Sequence, residues 1–76
     1  MELKNFIEVF AGEFDETPAE EFAAATVYKD LDEWNSLTAL SIISMIDDEC
    51  GKTITGADLR ACSTIEELYN LVMSKQ

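Results

Sequence analysis

Apolar side chains recur every third or fourth residue along three stretches of this sequence, and that spacing directs the chain toward a small helical bundle. The run from Ser36 to Glu49 is the most constraining. Ala39, Ile42, Ile43 and Ile46 share one helical face, while Leu37, Leu40 and Ser44 fall on a neighbouring stripe. The apolar surface is therefore wider than one core face requires. Either this helix lies between two others, or part of its apolar surface is meant for a partner. The segment 36–50 ends at Cys50-Gly51, with Gly51 suited to a left-handed C-cap.

The other stretches follow the same logic. Leu3, Phe6, Ile7, Phe10 and Phe14 predict a first helix over 2–14, which Gly12 weakens in its last turn. Ile65, Leu68, Tyr69 and Val72 form the stripe of a final helix that Ser63-Thr64-Ile65-Glu66 opens as a capping box, and Lys75 complements the dipole at its far end. Thr55 and Asp58 predict a second capping box for a brief helix from Gly56 to Ala61 with Leu59 inward, and Ile54 anchors the link before it. Between the first two helices runs a long acidic connection, with eight carboxylates over 13–33 against a single basic residue, Lys29. Within it, Thr17-Pro18-Ala19-Glu20 reads as cap, first position and third position of a short helix over 18–24, with Phe22 inward. Thr26-Val27-Tyr28 reads as extended, and Leu31 as tucked under the bundle. No strand exceeds about three residues, so the class is all-α: three longer helices, a short third one and a long loop after the first, over a single domain spanning 1–76.

Composition removes several functions. Sixteen acidic and five basic residues give a net charge of -11, a field that repels nucleic acid and anionic membranes and favours a basic partner. With 47% of the residues hydrophobic and periodic, the charge does not imply disorder. There is no histidine, so the commonest general base and metal ligand are both missing. The three glycines are dispersed and form no phosphate-cradling loop. An EF-hand loop begun at Asp30 would put Trp34 at its fifth position and Asn35 where glycine is required. Cys50 and Cys62 match no metal spacing and read as small buried hydrophobes of a reducing compartment, so the cytoplasm is the expected location. No segment is long enough to span a bilayer. Neither a catalytic residue nor a metal ligand is expected.

What remains is Ser36, a serine between two large apolar residues where a loop becomes a helix. On local chemistry, Asn35 or Ser36 simply caps the helix, since both types are preferred there. No base neighbours Ser36, so any reaction on it needs another protein.

Asn35-Ser36-Leu37 at the start of the second long helix, with Asp30-Leu31 a few residues upstream, resembles the Asp-Ser-Leu signature of acyl and peptidyl carrier proteins. The likeness extends along essentially the whole chain: first helix, long loop, a helix ending in acidic residues, a short helix and a last one opened by Ser63-Thr64-Ile65. It implies the four-helix carrier fold and a covalent 4'-phosphopantetheine arm, taken from coenzyme A and attached at Ser36 by a phosphopantetheinyl transferase. The arm would hold acyl or aminoacyl cargo as a thioester for partner enzymes with basic docking patches. Asn35, Leu37, Leu40, Ser41, Asp47 and Asp48 would then be the partner-facing residues, and the chain a non-catalytic monomer. Asn35 in place of the signature aspartate, Trp34 before it, and Thr38, Ser41 and Ser44 along the helix depart from fatty-acid carriers. They point to a specialised lipid, secondary-metabolite or aminoacyl pathway. The competing expectation is an acidic interaction module in which Ser36 only caps a helix.

Overall fold

A computed structural model describes residues 1–75. Four α-helices carry the fold: α1 Leu3–Ala11, α2 Ser36–Cys50, α3 Gly56–Ala61 and α4 Ile65–Ser74. Helix α1 packs on α4 and α2, and α2 packs on α3. The helices enclose one apolar cluster in which Phe6, Phe10, Tyr28, Ile42, Ile46, Ile65, Leu68 and Val72 are fully buried. No side-chain polar atom in that interior lacks a partner among the described residues.

The first helix is shorter than its apolar repeat predicts. It stops at Ala11, and the turns that follow carry Phe14 back onto the core, where its ring lies 5.6 Å from that of Phe10. Phe14 is buried without being helical, because a buried ring satisfies the periodicity from a turn as well as from a helix. The acidic connection also departs from expectation. In place of an α-helix over 18–24 there is one 3-10 turn, Ala19–Glu21, which still directs Phe22 inward. Thr17 does not cap that turn; its hydroxyl is held by Glu33 instead. Val27 is extended and bridges Thr64, but Tyr28–Asp30 form a second 3-10 turn. Leu31 packs against the core half-buried.

Tyr28 locks this connection to the bundle. Its ring is fully buried, and its hydroxyl donates to the Leu59 carbonyl at 2.5 Å with the Cys62 carbonyl 3.1 Å away. Burial pushes the phenol far above its ordinary range, so it remains a neutral donor. Two backbone bonds, Ile65 N–H to the Thr26 carbonyl and Glu66 N–H to the Ala24 carbonyl, fasten the same segment to the start of α4.

The predicted box on α3 forms between Thr55 and Asp58. The box on α4 forms one residue later than expected: Thr64 is the cap and Glu67 its reciprocal partner, while Ser63 contributes only its N–H to the Glu67 carboxylate. Both serine and threonine cap well, so the register here was open until the Val27–Thr64 bridge fixed Thr64 in extended geometry. Tyr69 is only half-buried, edge-on to Phe6, with its hydroxyl on the Met1 carbonyl. Lys75 closes the end of α4 and pairs with Asp58 at 3.4 Å. Gly51 takes φ 65°, the left-handed cap geometry expected of it. Cys62 is buried and Cys50 half-buried, both are free thiols, and desolvation raises both above the usual thiol range. Both are thus poor nucleophiles.

Candidate functional site at the start of helix α2

The start of α2 is fixed by three side chains. Trp34 packs half-buried with its ring 4.9 Å from that of Tyr28, which sets where the loop ends. Asn35, in extended geometry, is the N-cap: its Oδ1 accepts the Thr38 N–H at 3.0 Å. The Thr38 hydroxyl then donates to the Glu33 carbonyl at 2.8 Å, closing the loop against the first turn.

Glu33 is the residue that sequence reasoning missed. Its carboxylate accepts the N–H groups of Asp15 at 3.1 Å and Glu16 at 2.9 Å, along with the N–H and hydroxyl of Thr17. One side chain thereby organises the start of the long connection and ties it to the approach to α2. The Thr17 hydroxyl, followed by the backbone N–H donors, holds the Glu33 carboxyl below the ordinary glutamate value. Its partners lie sixteen to eighteen residues away, and no local pattern encodes them.

Because Asn35 is the cap, Ser36 is the first helical residue, and its exposed hydroxyl makes no hydrogen bond among the described residues. The N–H groups of Ser36 and Leu37 have no hydrogen-bond partner among the described residues. These are the free donors that any helix start presents. The first turn carries no carboxylate, although those of α3 and α4 do. This end of α2 therefore offers a hydroxyl, two free donors and the positive end of a fifteen-residue helix dipole, with no carboxylate within its first turn.

A groove of about 340 Å³ opens directly beside Ser36, between the first turns of α2 and helix α3. Trp34, Ala39 and Leu59 give it an apolar lining, and Lys29 and Arg60 stand at it as the only charged residues among those described. Neither basic residue was singled out as functional from sequence. The one available signal was Lys29 as the lone cation of the acidic connection.

The apolar surface of α2 is divided between the core and solvent. Ile42, Met45 and Ile46 face the core, while Leu37 is 76% exposed and Leu40 62% exposed. At about 100° per residue, Ser36, Leu37, Leu40, Ser44 and Asp47 fall within about 100° of one another around the axis. Asp48 lies beside them and is exposed, as is Asp47, whereas Ser41 is half-buried at the edge of the stripe. The structure thus brings Leu37, Leu40, Asp47 and Asp48 onto the side that presents Ser36. Among the described residues no group of acidic or cysteine side chains has the arrangement of a metal site.

A family model described as a phosphopantetheine attachment site matches residues 6–72. The chain belongs to the acyl and peptidyl carrier domain family. Comparison with curated proteins and with solved structures gave no match. Carrier domains of this family bear a covalently attached 4'-phosphopantetheine, are typically non-catalytic, and work with a phosphopantetheinyl transferase and acyl-handling enzymes. The four-helix architecture agrees with that membership. No helix among the described residues is long and apolar enough to cross a membrane.

Proposed function

We propose that Ser36 is the attachment residue for the arm, and that the carrier presents its cargo to partners along the exposed stripe of α2. The observation that carries this reading is the division of labour at the helix start. Asn35 does the capping, which leaves the Ser36 hydroxyl exposed and without a structural role. In the competing module reading Ser36 only caps a helix; with the cap assigned to Asn35, that reading leaves Ser36 without a task.

The residues present fit a phosphodiester. Its negative charge would meet the free N–H groups of Ser36 and Leu37 at the positive end of the helix dipole. On transfer, a bond forms between Ser36 Oγ and the coenzyme A phosphorus bearing the pantetheine, the diphosphate P–O bond breaks, and adenosine bisphosphate leaves. Among the described residues none is placed to take the hydroxyl proton, so the base belongs to the transferase. The attached arm supplies a terminal thiol that holds an acyl or aminoacyl group as a thioester.

Leu37 and Leu40 offer an apolar contact beside the arm, and Asn35 and Ser41 flank it. Asp47 and Asp48 lie about 16–18 Å along the helix from Ser36 at 1.5 Å per residue, and would meet basic residues on a partner. Carboxylates at that end oppose the helix dipole, which favours a docking role over a stabilising one. We read residues 1–76 as one carrier domain, monomeric through its charge of -11 and cytoplasmic by its free thiols. Asn35 in the motif and Trp34 before it favour a specialised lipid, secondary-metabolite or aminoacyl pathway.

The test is intact mass before and after incubation with coenzyme A and a broad-specificity transferase. One added phosphopantetheine is expected on the wild type and none on Ser36→Ala. A wild type that gains no mass with several transferases refutes the assignment.

A further inference from the structure

No hydrogen bond holds the Ser36 side chain among the described residues, and it is exposed. The place and angle at which it meets a transferase are therefore inherited from its neighbours. Two consecutive residues set them by gripping different parts of the molecule. Trp34 leans on Tyr28, whose hydroxyl donates to the Leu59 carbonyl of α3. Glu33 instead reaches Asp15, Glu16 and Thr17, the residues after Phe14, whose ring is stacked on that of Phe10 in α1. Glu33 acts at both of its ends. Its Oε1 accepts the Glu16 N–H at 2.9 Å, the Thr17 N–H at 2.5 Å and the Thr17 hydroxyl at 2.6 Å, while Oε2 accepts the Asp15 N–H at 3.1 Å. Its backbone carbonyl accepts the Thr38 hydroxyl at 2.8 Å, two residues past Ser36. The groove around it also carries Glu16, Glu21, Asp30 and Asp32, so this carboxylate stands against like charge. A glutamine would avoid that repulsion, but it has one acceptor oxygen and would turn its NH2 toward the Asp15 N–H. Only a carboxylate serves both sets of donors.

We propose that Glu33 is a positioning residue for arm attachment: the clasp between its carboxylate and residues 15–17 holds the approach to α2 in the geometry that a transferase engages. The inference rests on attachment at Ser36 and adds to it a residue that does not touch the arm. Hydrogen bonds to an ionised acceptor are about twice as strong as neutral ones, and three consecutive N–H groups aimed at one carboxylate form an anion-binding concavity. Closing the long connection between α1 and α2 costs entropy. With the clasp made, that cost is met once, on folding. Without it, part of the cost falls on every docking event. A carrier whose engaged geometry is only fractionally populated binds more weakly by the reciprocal of that fraction. The loss therefore falls on KM for the carrier and spares kcat, because a docked transferase holds the loop itself.

The experiment measures initial rates of mass gain with coenzyme A saturating and the carrier concentration varied. The carriers are wild type, Glu33→Ala, Glu33→Gln, Thr17→Val and the double variant of Glu33→Ala with Thr17→Val, each shown to be folded by circular dichroism at the assay temperature. Glu33→Ala should raise KM for the carrier about tenfold while kcat stays within about twofold of wild type. Glu33→Gln, which keeps one acceptor oxygen, should give a smaller rise. So should Thr17→Val, which removes a single donor nineteen residues before Ser36. The double variant should match Glu33→Ala alone, because both substitutions break the same clasp. Should Glu33→Ala fail to fold, Glu33→Gln and Thr17→Val carry the test. An unchanged KM in the folded variants, a loss confined to kcat, or additive losses in the double variant overturns the positioning role and leaves attachment standing. No mass gain on the wild type overturns attachment, and the positioning role falls with it.

Discussion

Replacing Asn35 and Ser36 separately with alanine should divide stability from function between two adjacent residues. Asn35 Oδ1 accepts the Thr38 N–H at 3.0 Å, and α2 supplies Ile42, Met45 and Ile46 to the core. Losing an N-cap side chain costs about 0.5–2 kcal/mol, typically about 1. The site is exposed, so water can replace part of the bond, and we expect about 1 kcal/mol. In a domain of this size that lowers Tm by about 4–8 °C. Ser36→Ala removes an exposed hydroxyl with no structural bond and inserts a better helix former, so its effect should stay within about 0.5 kcal/mol. Asn35→Asp keeps the cap and adds a charge that the dipole favours, so it should melt no lower than the wild type. Thermal unfolding followed by circular dichroism at neutral pH measures all three. If Ser36→Ala melts below Asn35→Ala, Ser36 is the cap, and the basis for its being free to react is gone.

Two other outcomes can be checked on the same material. The Glu33 carboxyl is held below its ordinary 4.5, so its contribution is present above that value and is lost as pH falls through the lowered one. Glu33→Gln should therefore melt below the wild type at neutral pH, with the gap closing under acid; a gap that stays constant with pH would remove the charge from the explanation. Reversing Asp47 and Asp48 to lysine should weaken partner binding more at low salt than at high salt, as measured by titration calorimetry, and a salt-independent loss would point to disturbed packing instead.

The parts of this molecule that could be read in advance are those whose cause is local. The repeat of Ile42, Ile43 and Ile46 and the left-handed Gly51 fix where α2 runs and stops. Thr55 with Asp58 fixes α3 through bonds that span three residues. The site motif is equally local, since Asn35, Ser36 and Leu37 are consecutive. Where local rules allowed two answers, the sequence stopped short: Ser63 or Thr64 as the cap of α4, and Asn35 or Ser36 as the cap of α2. Packing made those choices, through the Val27–Thr64 bridge in one case and the seating of Trp34 against Tyr28 in the other.

Caps and helical periodicity act over three or four residues, so an all-helical bundle with a serine at the start of its second long helix was legible in the chain alone; the carrier reading came from the likeness of Asn35-Ser36-Leu37 and the helix order to a family signature. Tertiary structure alone decided how that serine is surrounded. The Glu33 carboxylate reaches back to Asp15, Glu16 and Thr17, and Tyr28 reaches forward across thirty-one residues to Leu59. Burial of Ile42, Met45 and Ile46 in one core turned Leu37 and Leu40 outward. The same packing carried Lys29 and Arg60 to either end of a bond beside Ser36, from positions with no shared pattern in the chain. Such contacts close long loops, and what repays the closure entropy is the whole core rather than any motif near the residues involved.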